Sequence, residues 1–256
     1  MSLIKTSEQI DIMREGGKLL ANILMQLRSM IKPSLDVWEL ETTFLDFCTK
    51  NDAVPACKNY TAEGHLPPFP TGLCISINNQ SVHCYPKKGV ILNQGDIITV
   101  DTVIKYKNMH VDASFAKGVG KISEKDERLI NASRTGLKNT ESMVAPNVKI
   151  GALAHTMQRY VESQGFDVLR DYAGHGIGTY MHEQPEVPCY GNQNEGLTLR
   201  PGMTICIEAL VCEGDPDVHN VSPWETKMTD GKKFLQFEHT ILVTDVGYEI
   251  LTPVEV

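Results

Sequence analysis

One acidic pattern occurs twice in this chain, and it limits the fold more than any other feature. Residues 92–101, Leu-Asn-Gln-Gly-Asp-Ile-Ile-Thr-Val-Asp, align with residues 199–208, Leu-Arg-Pro-Gly-Met-Thr-Ile-Cys-Ile-Glu. In each copy a glycine turn, at Gly95 or Gly202, feeds an apolar run that ends on a carboxylate, Asp101 or Glu208. A second acidic strand follows in each half, with Asp112 in residues 109–115 and Glu238 in residues 235–241. A carboxylate inside an apolar strand is costly to bury without a partner. Four in matched frames call for one shared positive partner, a metal cluster.

The repeat extends beyond these strands. Residues 30–40 match 143–153, each reading as a helix end, a proline turn and the start of another helix. Each half also places a His-x-x-Pro turn ahead of its acidic strands, at His83 to Pro86 and at His182 to Pro185. Two copies are too few for a solenoid. They predict two pseudo-symmetric halves, about 1–122 and 123–256, facing each other within a single catalytic α+β domain spanning 1–256.

A chain of 256 residues with 41% hydrophobic and 22% charged residues can bury a sizeable core. The net charge of −8 argues against a nucleic-acid site, which would show a basic stripe. Seven cysteines without a C-x-x-C pair read as reduced thiols, neither a disulfide frame nor a zinc knuckle. The first residues carry no signal-peptide core, and no apolar run is long enough to span a bilayer. A cytoplasmic protein without membrane contact is expected.

Helical periodicity covers residues 7–30, capped by Thr6 or Ser7, and residues 37–49. Residues 58–72 form a Pro- and Gly-rich loop. Strands are expected at 73–77, 97–105 and 109–116. The second half predicts helices near 124–144 and 150–164, then strands near 167–173, 203–212 and 234–244.

Asp101 and Asp112 fall on strands joined by a short turn near Lys107-Asn108, so a hairpin can bring both to one face. Glu208 and Glu238 come from the opposite half. Together the four supply enough oxygens to bridge two divalent ions, favouring Mn²⁺, Fe²⁺ or Co²⁺ over a thiolate-bound zinc. Two such ions can hold a bridging hydroxide and clamp the attacking and polarised oxygens of a hydrolysis. His175, between glycines in Gly174-His175-Gly176-Ile177-Gly178, breaks the symmetry, since the matching first-half residue is Ser76. His83 and His182 sit at the rim, suited to hydrogen-bond a substrate carbonyl or amide. His65, His155 and His219 read as surface residues. His239 should face away from the acids, while His110 shares the face of Asp112.

Asp101, Asp112, Gly174 to Gly178, Pro201-Gly202-Met203-Thr204 to Glu208, and Glu238-His239-Thr240 resemble the dinuclear metal motif of methionine aminopeptidases. The resemblance runs from the first helix to the strand of Glu238. It implies the pita-bread fold, two pseudo-symmetric halves around a central curved antiparallel sheet. It also implies removal of the initiator methionine from nascent chains whose second residue is small. The short spacing between Glu208 and Glu238, and the lack of a zinc-binding extension, resemble the short type 1 form.

By this resemblance Asp101, Asp112, His175, Glu208 and Glu238 hold two divalent ions, Co²⁺, Mn²⁺ or Fe²⁺. His83 meets the scissile nitrogen, His182 the carbonyl oxygen, Glu208 also shuttles a proton, and Asp101 helps hold the free amine. Cys57, Tyr60, Phe69, Cys74, Met181 and Trp224, with His83 and His182, match the substrate pocket. An apolar slot lined by sulfur and aromatic rings suits an unbranched thioether. Nascent N-termini at the ribosome exit are the expected partners, met by a monomer.

The chain departs from the family pattern in a longer 58–73 loop, in Met181 for an aromatic residue, in Ala209 for proline, in Val111 for glycine and at Thr102-Val103. The competing readings are a proline-directed aminopeptidase, expected to carry an additional N-terminal domain, a metal-free pita-bread binding module, and a paralogue of narrowed substrate range. Intact ligands and an acidic chain weigh against the module.

Overall fold

The computed structural model describes residues 2–61 and 66–255; His65, expected at the surface, lies outside the described residues. Two helices lead each half. In the first, α1 spans Ser7–Met30 and α2 spans Val37–Lys50. Thr6 opens α1 through a reciprocal cap with Gln9, each side chain bonding the other's backbone N–H. Asp36 caps α2 by accepting from Trp38 N. In the second half, α3 spans Glu124–Ser142 behind a Ser123–Asp126 capping box, and α4 spans Ile150–Ser163.

Short strand β1 (Val54–Pro55) and β2 (Cys74–Ile77) precede the first long pair, β3 (Ile97–Tyr106) and β4 (Met109–Gly118). Lys107 and Asn108 close that hairpin with φ of 44° and 69°, the left-handed geometry that two-residue turns require. The second half adds β5 (Asp167–Val168), β6 (Ala173–Gly176), β7 (Glu183–Pro188) and β8 (Thr204–Cys212). After β8 come β9 (Val218–Asn220), β10 (Thr226–Met228), β11 (Phe234–Val243) and β12 (Tyr248–Ile250). The pair β9–β10 stands apart as a small ribbon.

The main sheet runs β1-β3-β4-β11-β8-β6-β7, with β2 on β3, β5 on β8 and β12 on β11. Its pairings are antiparallel, and its centre lies between β4 and β11. Moving outward from that seam, β4, β3 and β2 mirror β11, β8 and β6, which is the expected pseudo-two-fold arrangement. Helices cover one face: the α1 backbone at Gly16 meets Val111, and Glu141 of α3 bonds His239. Residues one position away, Asp112 and Glu238, therefore point to the other face.

Two segments differ from the sequence expectation. The strand expected at 167–173 is split, because residues 169–172 leave the ladder after Leu169 N bonds Leu210 O, and Tyr172 turns toward His83. The turn expected after His182 continues as β7. Pro185 and Pro188 are tolerated there because β7 lies at the sheet edge, where no ladder donor is needed. His155 is half-buried on α4, and His219 is exposed on β9.

Candidate metal centre and active site

The strand register assembles the acids into a row. Cys74 pairs with Asp101, Asp101 with Ser114, Ser114 with Glu238, and Glu238 with Glu208, crossing β2, β3, β4, β11 and β8 in one line. Asp112 lies two residues along β4 from Ser114, on the same face and opposite Val103. Asp101 and Asp112 still lie close enough that the Asp112 charge helps raise the Asp101 carboxyl. All four carboxylates lie in the floor of a cavity of about 420 Å³.

His175 enters from β6. A Cβ at Gly174 would fall 2.3 Å from Cys206 O, and one at Gly176 would fall 2.1 Å from Gln184 O. Only glycine lets β6 press this closely between β8 and β7. His175 Nε2 then lies 3.7 Å from Asp112 Oδ2 and 3.8 Å from Glu208 Oε1. Its Nδ1 is 2.9 Å from the Gly176 carbonyl, which can only accept. The ring proton therefore sits on Nδ1, leaving a lone pair on Nε2 aimed at the acids, the tautomer that suits a metal ligand.

The electrostatics fit a cation. Burial raises Asp101, Glu208 and Glu238 well above the usual carboxylate range, and their mutual repulsion adds to it. Asp112 is raised to about 7, chiefly by burial. Asp101 Oδ1, Asp112 Oδ1 and Glu238 Oε1 are buried with no hydrogen-bond partner among the described residues. Buried acceptors in native proteins are normally satisfied. Converging carboxylates, orphaned oxygens and a ready imidazole lone pair suit hard to borderline divalent ions.

At the rim, His83 occupies a turn with φ of 61° and packs edge-on against Tyr172 and Trp224. His182 stands just before β7, with its ring 4.5 Å from that of His175 and its Nδ1 3.1 Å from the Tyr60 hydroxyl. Both are lowered to about 4, first by desolvation and then by neighbouring imidazoles, so both are neutral near pH 7. The wall joins Cys57, Tyr60, Phe69, Cys74, Met181 and Trp224. Phe69 is edge-on to Tyr85 and Trp224, and Trp224 Nε1 donates to Pro67 O, which latches the described part of the long loop onto the rim.

Every proposed ligand, rim histidine and pocket residue thus lines one cavity. His239 faces away as expected, its Nδ1 2.6 Å from Glu141 Oε1. His110 turns to the Gly178 carbonyl and does not line the cavity. Sequence reasoning missed Val82, Val103, Tyr172 and Gln236 in the lining. Gln236 was detectable, since it precedes Glu238 by two strand positions and must share its face. Its Nε2 donates to Glu208 Oε2 at 3.2 Å and to Glu238 Oε2 at 3.1 Å.

Residues 11–245 match the profile of metallopeptidase family M24. The chain belongs to this family. It is 36% identical over 255 residues to methionine aminopeptidase 1 of Bacillus subtilis, covering 99% of this chain and 100% of that one. The methionine aminopeptidase of Mycoplasma capricolum is 38% identical, with both chains covered in full. The crystal structure of a methionine aminopeptidase from Thermotoga maritima superposes with a TM-score of 0.93 at 38% identity, covering 98% of this chain and 99% of that one. A prolidase from Pyrococcus furiosus gives a TM-score of 0.77 at 21% identity, with 99% of this chain and 66% of that one covered, a likeness of fold alone. This M24 chain therefore has the pita-bread fold that the resemblance implied, in agreement with its duplication. No described helix is long and apolar enough to cross a membrane.

Proposed function

We propose that this M24 metallopeptidase removes the N-terminal methionine from polypeptides whose second residue is small, using two divalent ions of the Co²⁺, Mn²⁺ or Fe²⁺ type. One observation carries the reading: a row of buried, unsatisfied carboxylates with His175 lies at the foot of a slot walled by thiols, a thioether and aromatic rings. Such a wall holds an unbranched thioether through dispersion and sulfur–ring contacts. The relatives' names, methionine aminopeptidases matched over their full length, agree with that slot.

When bound, the divalent ions supply Lewis acidity and lower the pKa of a water. Asp101, Asp112, His175, Glu208 and Glu238 are the residues that would hold them. The remaining work falls to the chain itself. The apolar wall seats the methionine side chain, and Asp101 meets its free amine. His182, neutral, donates to the scissile carbonyl oxygen as charge gathers there. His83 orients the scissile nitrogen, and Glu208 carries a proton toward the leaving amine. The substrates proposed are nascent N-termini leaving the ribosome.

The deciding assay is release of free methionine from Met-Ala-Ser and Met-Lys-Ser after loading with Co²⁺, Mn²⁺ or Fe²⁺. Fast release from the first peptide alone supports the reading. Equal rates on both would make this a general aminopeptidase, and no metal-dependent release would end the proposal.

A further inference from the structure

The acidic face holds one more donor that the metal set above does not use. Cys206 precedes Glu208 by two positions on β8, so its side chain shares that face, opposite Thr240. Its Sγ, a nitrogen of His175 and one oxygen each of Asp112 and Glu238 all lie within 4.8 Å of one another. The thiol is fully buried and does not line the cavity, so it lies beneath the carboxylates and out of reach of a substrate. Its Sγ lies 3.7 Å from Thr240 Oγ1.

A buried cysteine alone says nothing about ligands. Here a second observation points to one: two other members of that cluster, Asp112 and Glu238, each keep a buried carboxylate oxygen, Oδ1 and Oε1, without a hydrogen-bond partner among the described residues. One sulfur, one imidazole nitrogen and two carboxylate oxygens within this span match the donor number and kinds of a four-coordinate zinc-type site. The remaining acids, Asp101 and Glu208, offer oxygen only.

We propose that Cys206 is a sulfur donor to the ion held by Asp112, His175 and Glu238, and that it biases this half of the centre toward thiophilic divalent cations such as Zn²⁺. The inference rests on the metallopeptidase reading and adds a ligand to it. Coordination takes the sulfur as thiolate, and its proton passes to bulk buffer. The pseudo-symmetric centre then becomes chemically unequal in two ways, by His175 and by Cys206.

The test loads one equivalent of Co²⁺ or Cd²⁺ into the wild-type chain and into Cys206→Thr, Cys206→Ala, Cys57→Ser and Cys74→Ser. The expected result is a sulfur-to-metal charge-transfer band in the wild type, kept in the Cys57 and Cys74 variants and lost in both Cys206 variants. Competition titrations should show the preference for Zn²⁺ over Mn²⁺ falling about tenfold or more in Cys206→Thr. No band in the wild type, or a band that survives Cys206→Thr, overturns the proposal. If the Cys206 variants do not fold, X-ray absorption on Zn²⁺-loaded Cys57→Ser/Cys74→Ser protein decides. A sulfur neighbour at about 2.3 Å supports the assignment, and only nitrogen and oxygen neighbours overturn it. Metal-dependent methionine release without sulfur ligation would remove Cys206 alone. Unchanged metal binding in Asp112→Asn would remove the metal reading beneath it.

Discussion

The Tyr60 hydroxyl lies 3.1 Å from Nδ1 of His182, linking the long loop to a rim imidazole. With the phenol donating, the ring proton of neutral His182 sits on Nε2, free to donate outward. Tyr60→Phe removes that hydrogen bond and keeps the ring. It should lower kcat roughly tenfold, the worth of one hydrogen bond, with KM nearly unchanged. Nitrogen-15 shifts of His182 in metal-free protein should move toward a mixture of tautomers. An unchanged kcat and tautomer would remove Tyr60 from the machinery.

The two rim histidines should separate by role. His182→Ala should lower kcat by roughly 10²–10³-fold while bound metal stays constant, because it loses a donor to the developing oxyanion. His83→Ala should also slow turnover, less so on substrates with better leaving groups. Loss of metal from His182→Ala would place that residue among the ligands instead.

Gln236 spans Glu208 and Glu238 with one amide. Its loss frees both carboxylates to rotate, so Gln236→Ala should weaken divalent-metal affinity about 10–100-fold in calorimetric titration. Gln236→Glu should weaken the metal-free fold as well, since it adds a fifth acid to the same face. Metal affinity equal to wild type in Gln236→Ala would reduce the amide to a packing role.

Acid crowding sets a pH signature. The Asp112 carboxyl is raised to about 7 from an ordinary value of 3.8. A raised carboxyl favours the fold below its unfolded value and loses that contribution as pH rises through the folded one. Metal-free protein should therefore lose stability between about pH 4 and 7 through Asp112, and a bound cation should abolish the loss. Metal-free Asp112→Asn should melt at least about 4 °C above wild type at pH 8, yet gain far less from added metal. Thermal melts across pH, with and without Mn²⁺, measure both. A metal-free Asp112→Asn that melts below wild type at pH 8 would mean the acid is paired in a way the geometry does not show.

The helices α1 and α2 were legible because the Thr6 cap and the apolar stripes are local signals, read within one or two turns. The four acids were legible for a similar reason: strand periodicity puts Asp101, Asp112, Glu208 and Glu238 each at a definite phase of its own strand, and duplication links the halves. The glycines around His175 announced a close approach, and Gly174 and Gly176 make one. The edge strand β7 was hidden, because two prolines look like a turn until the strand's place in the sheet is known.

By itself, then, the sequence determined which groups share a face and that four acids need a common cation, since backbone periodicity and the cost of burying charge act locally. Only the tertiary structure decided how the faces meet. Register across β2, β3, β4, β11 and β8 placed Ser114 between Asp101 and Glu238, and left Asp112 two residues off the row. Packing between distant segments brought Tyr60 to His182, Gln236 under two carboxylates and Cys206 beside His175. Those contacts join residues far apart in the chain, and no local rule carries information about which of many possible registers gives the lowest free energy. That choice is made by the whole sheet at once, through burial on both faces.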